Sequence, residues 1–534
     1  MNDLINQSKI QKIFDSIPSL LHTYRIPILG TLIPGILAYV FAFTNKLVNH
    51  DDVFYLFGKG ATIESGRWGL SVMSLIFPDV SMPWIYGVIS LALLAVSICF
   101  CIRLLNIRST LLQFLLAGIT VTFPSQIATF AYMFTASSYA VAFLMSVLAA
   151  YLLTLERKSL WLMALLCAVL CCSIYQSYIA VTSTLLLLHL LNLLLRTDTQ
   201  EKTVFCKGIF YVVFLAVALG LYWLITNCIW SVSGTKIGEY AGNALSSPIE
   251  QISQRILVAY TMFRDTLLYG EYSLVSSPFS NWIHSFMIVM FGIEFLVWTL
   301  HNKNPLRILF LVILLCILPL SVCCMFLFVH YKSVHSLVLY GFVFLYYLLA
   351  LLLEAGQYIP AKIKSLGKYR HLYYNLILAG LSLIIICNTY IANEAYLNLY
   401  LRYQNTYSFT TSVVSSLNNH PEFTSDSKVA FVGFNLLPEY WDETDYRLIR
   451  MIGISGIGRG SYSIPSMLAY YNGITLNFAS DDEMEEIIKS DDFWDMTTYP
   501  YYGSIRKIND IFVVKISDVY VDEDSIISDV PDLK

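Results

Sequence analysis

The stretch PILGTLIPGILAYVFAFTN, residues 27–45, carries no charge, and KLVNHDD, residues 46–52, follows it directly. A helix rising 1.5 Å per residue needs about 20 apolar residues to cross about 30 Å of hydrocarbon, so residues 27–45 read as a membrane span. The next residues place a cation, an imidazole and two adjacent carboxylates, Asp51 and Asp52, at the depth of the lipid headgroups. The first segment sets the fold class, and the second marks where chemistry is to be sought.

Further runs of the same kind follow at 84–102, 109–123, 136–154, 159–176, 178–195, 208–230, 282–300, 308–329, 336–354 and 373–391. The expectation is a polytopic α-helical membrane protein of about 11 transmembrane helices with a C-terminal extracytoplasmic α/β domain. Composition agrees: 57% of the 534 residues are hydrophobic and only 13% charged, where a soluble domain carries roughly 25% charge. The third run is short and ends at Pro124, which points to a tilted or partly re-entrant segment. The fifth and sixth are separated only by a polar turn at Gln176-Ser177.

Charge divides the chain. Residues 392–534 hold 22 Asp/Glu against 10 Lys/Arg, and the first 391 residues hold 15 against 23. Neither part has the basic bias of a nucleic-acid binder. With an N-terminus in the cytoplasm, 16 of the 23 bases in the first part fall in inner segments, which favours N-in, C-out. The expected domains are then an interfacial segment at 1–26, a transmembrane body at 27–391 with outer loops 46–83 and 231–281, and an acidic outer domain at 392–534. Ile10, Ile13, Phe14 and Ile17 read as a short helix on the inner membrane surface rather than as a cleavable signal. The eleven cysteines lie between Cys99 and Cys387, in or beside the spans, with no zinc-like spacing. No cofactor is evident, no metal ligands are assigned, and a need for a divalent ion is left open.

The first outer loop holds the leading candidates. A hydroxyl acceptor attacking an activated sugar needs a general base, which Asp51 or Asp52 suits, and a departing lipid phosphate needs a cation such as Arg67. His50, Asp51, Asp52 and Arg67 lie close enough in sequence to share a cleft. The competing reading makes Asp51 a helix cap and Arg67 a surface charge.

The residues His50-Asp51-Asp52 and Ser65-Gly66-Arg67-Trp68 resemble the first outer loop of the bacterial O-antigen glucosyltransferases, the Gtr family often carried by serotype-converting phages. That family is similar in layout to the C-type glycosyltransferases. The resemblance implies transfer of glucose from undecaprenyl-phosphate glucose to a surface polysaccharide outside the cytoplasm. It implies Asp51 or Asp52 as base, and Arg67 in donor phosphate or sugar recognition. A donor synthase and a flippase follow as functional partners, with the lipid of the bacterial inner membrane around the body.

Other outer groups are candidates for the same cleft. Lys332, between His330 and His335, would bind a lipid phosphate or else snorkel as an anchor. Tyr175 and Gln176 at an outer turn, with His50 and Trp68, would hold a sugar by stacking and hydrogen bonds. Arg255, in an amphipathic segment from Pro248 to Leu268, would line an acceptor cleft or a solvated face. Glu294 falls within a span, where a carboxylate is costly, and is kept out of the site. In the tail, 428–433 and 511–516 read as strands and Asp482–Lys489 as a helix. Its aromatics, Trp494, Tyr501 and Tyr502 among them, suit polysaccharide stacking or plain packing.

Two other readings compete. A polysaccharide polymerase or ligase would lean on Arg and His in outer loops rather than on an acid pair. A lipid-linked sugar flippase predicts charges lining a path through the membrane, where Glu294 stands nearly alone.

Overall fold

The computed structural model describes residues 18–58, 60, 62–196, 199–235, 252–268, 278–302, 304–327, 335–356, 364–433, 451–452 and 463–517. Among them, eight helices are long and apolar enough to cross a membrane. They are Arg25–Thr44, Pro83–Leu105, Met133–Thr154, Gln176–Arg196, Glu201–Ser233, Phe279–His301, Pro305–Val322 and His371–Asn418. A ninth candidate is the pair Thr110–Thr122 and Pro124–Ala131, bent by 42°. The remaining two expected runs lie on shorter apolar helices, Lys158–Ile174 and Tyr340–Gly356. The chain is thus a polytopic helical membrane protein.

The break in the third run has a local cause. Pro124 excludes helical geometry at the residue before it, and Phe123 is extended at φ −61° and ψ 144°. Pro124 then opens the second helix, where its missing N–H is harmless. Every residue from Pro124 to Ala131 is buried, so this half-helix lies inside the bundle. Close packing follows from small residues: a Cβ added to Gly30 would lie 2.6 Å from the Phe114 carbonyl oxygen, so the first and third segments meet backbone to backbone.

One end of the bundle is fastened by a buried ion pair. Arg196 Nη2 lies 3.0 Å from Glu354 Oε2, with side chains 4% and 3% exposed. Glu354 Oε1 accepts from the backbone amides of Arg108 (2.7 Å) and Ser109 (2.8 Å), at the start of the helix that begins at Thr110. Arg196 also donates to the carbonyls of Leu105 and Asn106, which end the preceding helix. Arg307 reaches the same end through Leu194 O at 2.7 Å. Arg196 and Arg307, two of the bases expected on the inner face, therefore meet at one end of the bundle.

The last long helix, Lys364–Asn418, runs without interruption through position 392. Beyond it lies a four-stranded sheet of β1 (Lys428–Val432), β2 (Asn477–Phe478), β3 (Ile505–Ile508) and β4 (Ile511–Lys515), in the order β2-β1-β4-β3. β1 is parallel to β2 and β4, in register Lys428↔Ile511, and β3 is antiparallel to β4. Asn509 and Asp510, both at positive φ, close the β3–β4 hairpin, as a two-residue turn of the primed type requires. Alternate residues of β1 and β4 face two layers. Val429, Phe431, Phe512 and Val514 pack on Val413 and Leu417 of the long helix. Ala430, Val432 and Val513 pack on Ile487 and Phe493, in the helices Asp481–Ile488 and Asp491–Trp494. The membrane helix thus serves as one outer layer of the sheet.

Removing one partner of a buried ion pair leaves the other charge unpaired, at a cost of about 3–5 kcal/mol. Glu354→Ala should lower the unfolding free energy of the detergent-solubilised protein by that amount. Denaturant titration measures it, and a change under about 1 kcal/mol would contradict the fastening role.

Candidate active site

Residues His50–Phe54 form one short helix at the opposite end of the bundle. Its cap is Asn49, whose Oδ1 accepts the Asp52 amide at 2.9 Å. The Asn49 carboxamide also donates to Ala131 O (3.1 Å) and Ile452 O (3.0 Å). The turn is therefore held to the buried half-helix on one side and to the C-terminal part of the chain on the other. The cap belongs to Asn49 and not to Asp51.

The two carboxylates have different surroundings. Asp52 is fully buried and ion-paired with Lys46. Its Oδ1 accepts from Ser81 Oγ at 2.9 Å and from the Phe134 amide at 3.1 Å, and Lys46 Nζ also donates to Ser81 Oγ at 2.7 Å. This set of donors gives a buried carboxylate the satisfaction it requires. Asp51 keeps 30% of its side chain exposed, with His50 Nε2 3.5 Å from Oδ1. Where the sequence offers two interchangeable bases, the structure gives one accessible acid and one interior acid.

His335 closes the same region. Its Nδ1 accepts the Leu337 amide at 3.2 Å, so the ring proton sits on Nε2, 3.2 Å from the Tyr132 hydroxyl. Burial first, and then the neighbouring His50, push its pKa down to about 3, with Asp51 opposing. His335 is therefore a neutral hydrogen-bonding group and brings no positive charge to a phosphate. His330 and Lys332, its expected companions, lie outside the described residues.

A second wall is built from the loop around Gly66. Gly66 has φ +72°, and a Cβ there would come within 2.7 Å of the Tyr222 hydroxyl. Tyr222 donates to Gly66 O at 3.0 Å, and Gln176 Nε2 donates to Ser65 O (2.9 Å) and to Tyr222 (2.8 Å). Trp68 Nε1 donates to Thr226 Oγ1 at 3.2 Å. The loop is thereby anchored, and the Arg67 guanidinium lies 4.8 Å from the Tyr175 ring centre. Tyr175 stacks in turn on Tyr139 at 4.7 Å. Arg67, Trp68, Tyr175 and Gln176 are thus brought together as one wall. Phe134 links it to the acid turn: its amide binds Asp52 and its ring lies 3.0 Å from the Cβ position of Gly60. Arg255 stands apart, donating to Leu327 O at 2.7 Å and tying Ile252–Leu268 to the end of a neighbouring span. Among the described residues, no three His, Cys, Asp or Glu side chains converge as metal ligands would.

Several site groups carry no sequence signal of their own. Lys46 appears only as an outer-loop base, and Ser81 as one serine among many. Tyr471 comes from the far end of the chain. It joins Lys46, Ser81, Leu56 and Trp84 in lining a cleft of about 780 Å³. Burial and the nearby Asp52 charge raise the pKa of the Tyr471 hydroxyl and keep it protonated.

The family model of glucosyl transferase GtrII matches residues 40–348. The chain belongs to the GtrII glucosyl transferase family. That membership makes it a glycosyltransferase. The match to GtrII begins in the first membrane helix and takes in the acid turn, Arg67, Gln176 and His335, but not Ile452 or Tyr471. No curated protein matches the chain.

Two outcomes are expected from this geometry. Gly66→Ala combines backbone strain with a clash at Tyr222, so it should reduce glycosyl transfer at least about tenfold, the effect of ~1.4 kcal/mol in the barrier. Steady-state rates would measure it, and an unchanged rate would remove the loop from the site. His335 has a lower pKa folded than unfolded, so the unfolded state binds more protons between about 3 and 6.5. Its contribution to stability is complete above 6.5 and declines as pH falls toward 3. His335→Gln should flatten the pH dependence of the melting temperature across that window.

Proposed function

We propose that the protein transfers glucose from undecaprenyl-phosphate glucose to a surface polysaccharide, the O-antigen of lipopolysaccharide, with Asp51 as general base. The reading rests on family membership, on the earlier resemblance of the acid turn, and above all on one observation. Of the two adjacent acids, Asp51 is partly exposed, with 30% of its side chain accessible, while Asp52 is fully buried.

The step is a single displacement. The Asp51 carboxylate takes the proton of an acceptor hydroxyl as its oxygen bonds to the anomeric carbon. The bond from that carbon to the phosphate oxygen breaks, and the polyprenyl phosphate departs with the electron pair. One displacement inverts the anomeric configuration. His50 orients Asp51, and the neutral His335–Tyr132 pair offers uncharged hydrogen bonds to sugar hydroxyls. Arg67, Trp68, Tyr175 and Gln176 form the sugar-holding wall, where an aromatic face with a fixed cation suits a pyranose.

Orientation follows from charge. Arg103, Arg108, Arg196 and Arg307 sit at the end of the bundle away from Asp51, and short basic segments are retained in the cytoplasm. This supports an acid turn on the outer face of the bacterial inner membrane, with the N-terminus inside and the sheet-bearing C-terminal part outside. A donor whose sugar faces outward must be made by a synthase and moved across by a flippase, which are the functional partners this reading requires.

General-base catalysis contributes about 10²–10⁴-fold. Asp51→Asn should lower transfer of radiolabelled glucose from undecaprenyl-phosphate glucose to O-antigen by that factor, in liposomes, with folding intact. Asp52→Ala should act on stability, costing about 3 kcal/mol because Lys46, Ser81 and the Phe134 amide lose their shared acceptor. Full activity in Asp51→Asn would overturn the assignment of the base.

A further inference from the structure

The cleft beside the acid turn has a chemistry separate from the sugar wall. Its floor is Lys46, with a side chain 24% exposed. Lys46 spends two of its three N–H donors on Asp52 and Ser81, and one remains. Asp52 does not rely on Lys46 alone, since Ser81 and the Phe134 amide hold it as well. Tyr471 lines the same cleft, and its buried hydroxyl has no hydrogen-bond partner among the described residues. Met82 provides no side-chain cap for the helix Pro83–Leu105, whose uncapped first turn also borders the cleft.

The rim is apolar. Trp84 is 60% exposed and Ile85 43%, both in the first turn of a membrane helix and so at the depth where headgroups give way to chains. A cation, an idle hydroxyl and an uncapped helix start, opening onto exposed apolar side chains at that depth, make a receptor for an anionic lipid headgroup. Because Lys46 is already paired, the surplus positive potential is small. It suits a phosphodiester with one negative charge better than a free phosphate.

We propose that this cleft binds the phosphate and first isoprene units of a polyprenyl-phosphate lipid, and that Tyr471, supplied by the C-terminal part of the chain, completes the phosphate site. The inference rests on the donor class proposed above and adds where that donor's leaving group is held. Asp51 and Asp52 then divide the work. Asp51 faces the acceptor, and Asp52 fixes the cation that receives the departing phosphate.

The test is direct binding of undecaprenyl-phosphate glucose, a phosphodiester with one negative charge, without acceptor, followed by native mass spectrometry of the full-length protein in phosphatidylcholine nanodiscs. Tyr471→Phe and Trp84→Ala leave the Lys46–Asp52 pair intact. Each should weaken binding by about three- to tenfold, and Lys46→Met by more than about tenfold. Asp51→Asn should bind like the wild type, so lost binding tests the cleft while lost transfer tests the base. Unchanged affinity in both Tyr471→Phe and Trp84→Ala would overturn the proposal. So would displacement by an equal concentration of phosphatidylglycerol, which would mark a general phospholipid contact.

Discussion

The half of this molecule that carries the acid turn is organised by the burial of one charge. A carboxylate removed from water costs several kcal/mol unless donors replace its hydration. Asp52 finds them in Lys46 after the first span, Ser81 before the second, and the Phe134 amide at the start of the helix that follows the broken third. Three separate segments must therefore end at fixed heights around one residue. Asn49 extends the constraint by capping the same turn while bonding to Ala131 and Ile452. Asp51, one residue away, inherits a fixed position on the same turn, with His50 Nε2 3.5 Å from its Oδ1.

The other end of the bundle repeats the solution with different residues. Glu354 is satisfied by Arg196 and by the two amides that begin the Thr110 helix, so it fixes helix ends there as Asp52 fixes those at the acid turn. The span between these clamps need not be regular. The bend at Phe123 is tolerated because the half-helix Pro124–Ala131 lies among protein side chains and keeps its backbone paired. The half-helix brings Thr129 and Gln126 to the Tyr340 hydroxyl, and it brings Ala131 O to Asn49.

Much of this was legible in the sequence, because membrane burial writes its pattern in long uncharged runs and in the placement of Pro124. The acid turn and the Arg67 loop were legible as residue types, and the turn at Gln176 bonds to the second of them through Ser65 O. Which acid stays open was not, since it depends on partners 29 and 82 positions away along the chain. Lys46 carried no signal apart from its charge. Arg255 was legible only as a charge in an outer loop, and its bond to Leu327 O, 72 positions away, was not. In the tail, β1 and β4 announced themselves by β-branched runs. β2 is only two residues long, and β3 carries Arg506 and Lys507 on a partly exposed edge, so neither has a hydrophobic pattern to read. The long helix gives no warning at position 392, where apolar membrane residues give way to Asn, Tyr and Glu without any helix breaker.

The coupling of the C-terminal part to the membrane site follows from the same geometry. Val53 of the acid turn packs with Val48, Met467, Tyr403 and Tyr471. One face of that short helix is therefore core to the C-terminal part, while its other residues serve the bundle. A five-residue helix cannot hold its shape alone, because nucleation costs more than so few hydrogen bonds return. Its geometry is imposed jointly by Asn49, Asp52 and this apolar contact. The region matched by GtrII contains the acid and the arginine, yet the surface that steadies the acid turn comes partly from residues beyond it. A shift of the C-terminal part would therefore reach Asp51 through Val53, two residues along the same short helix.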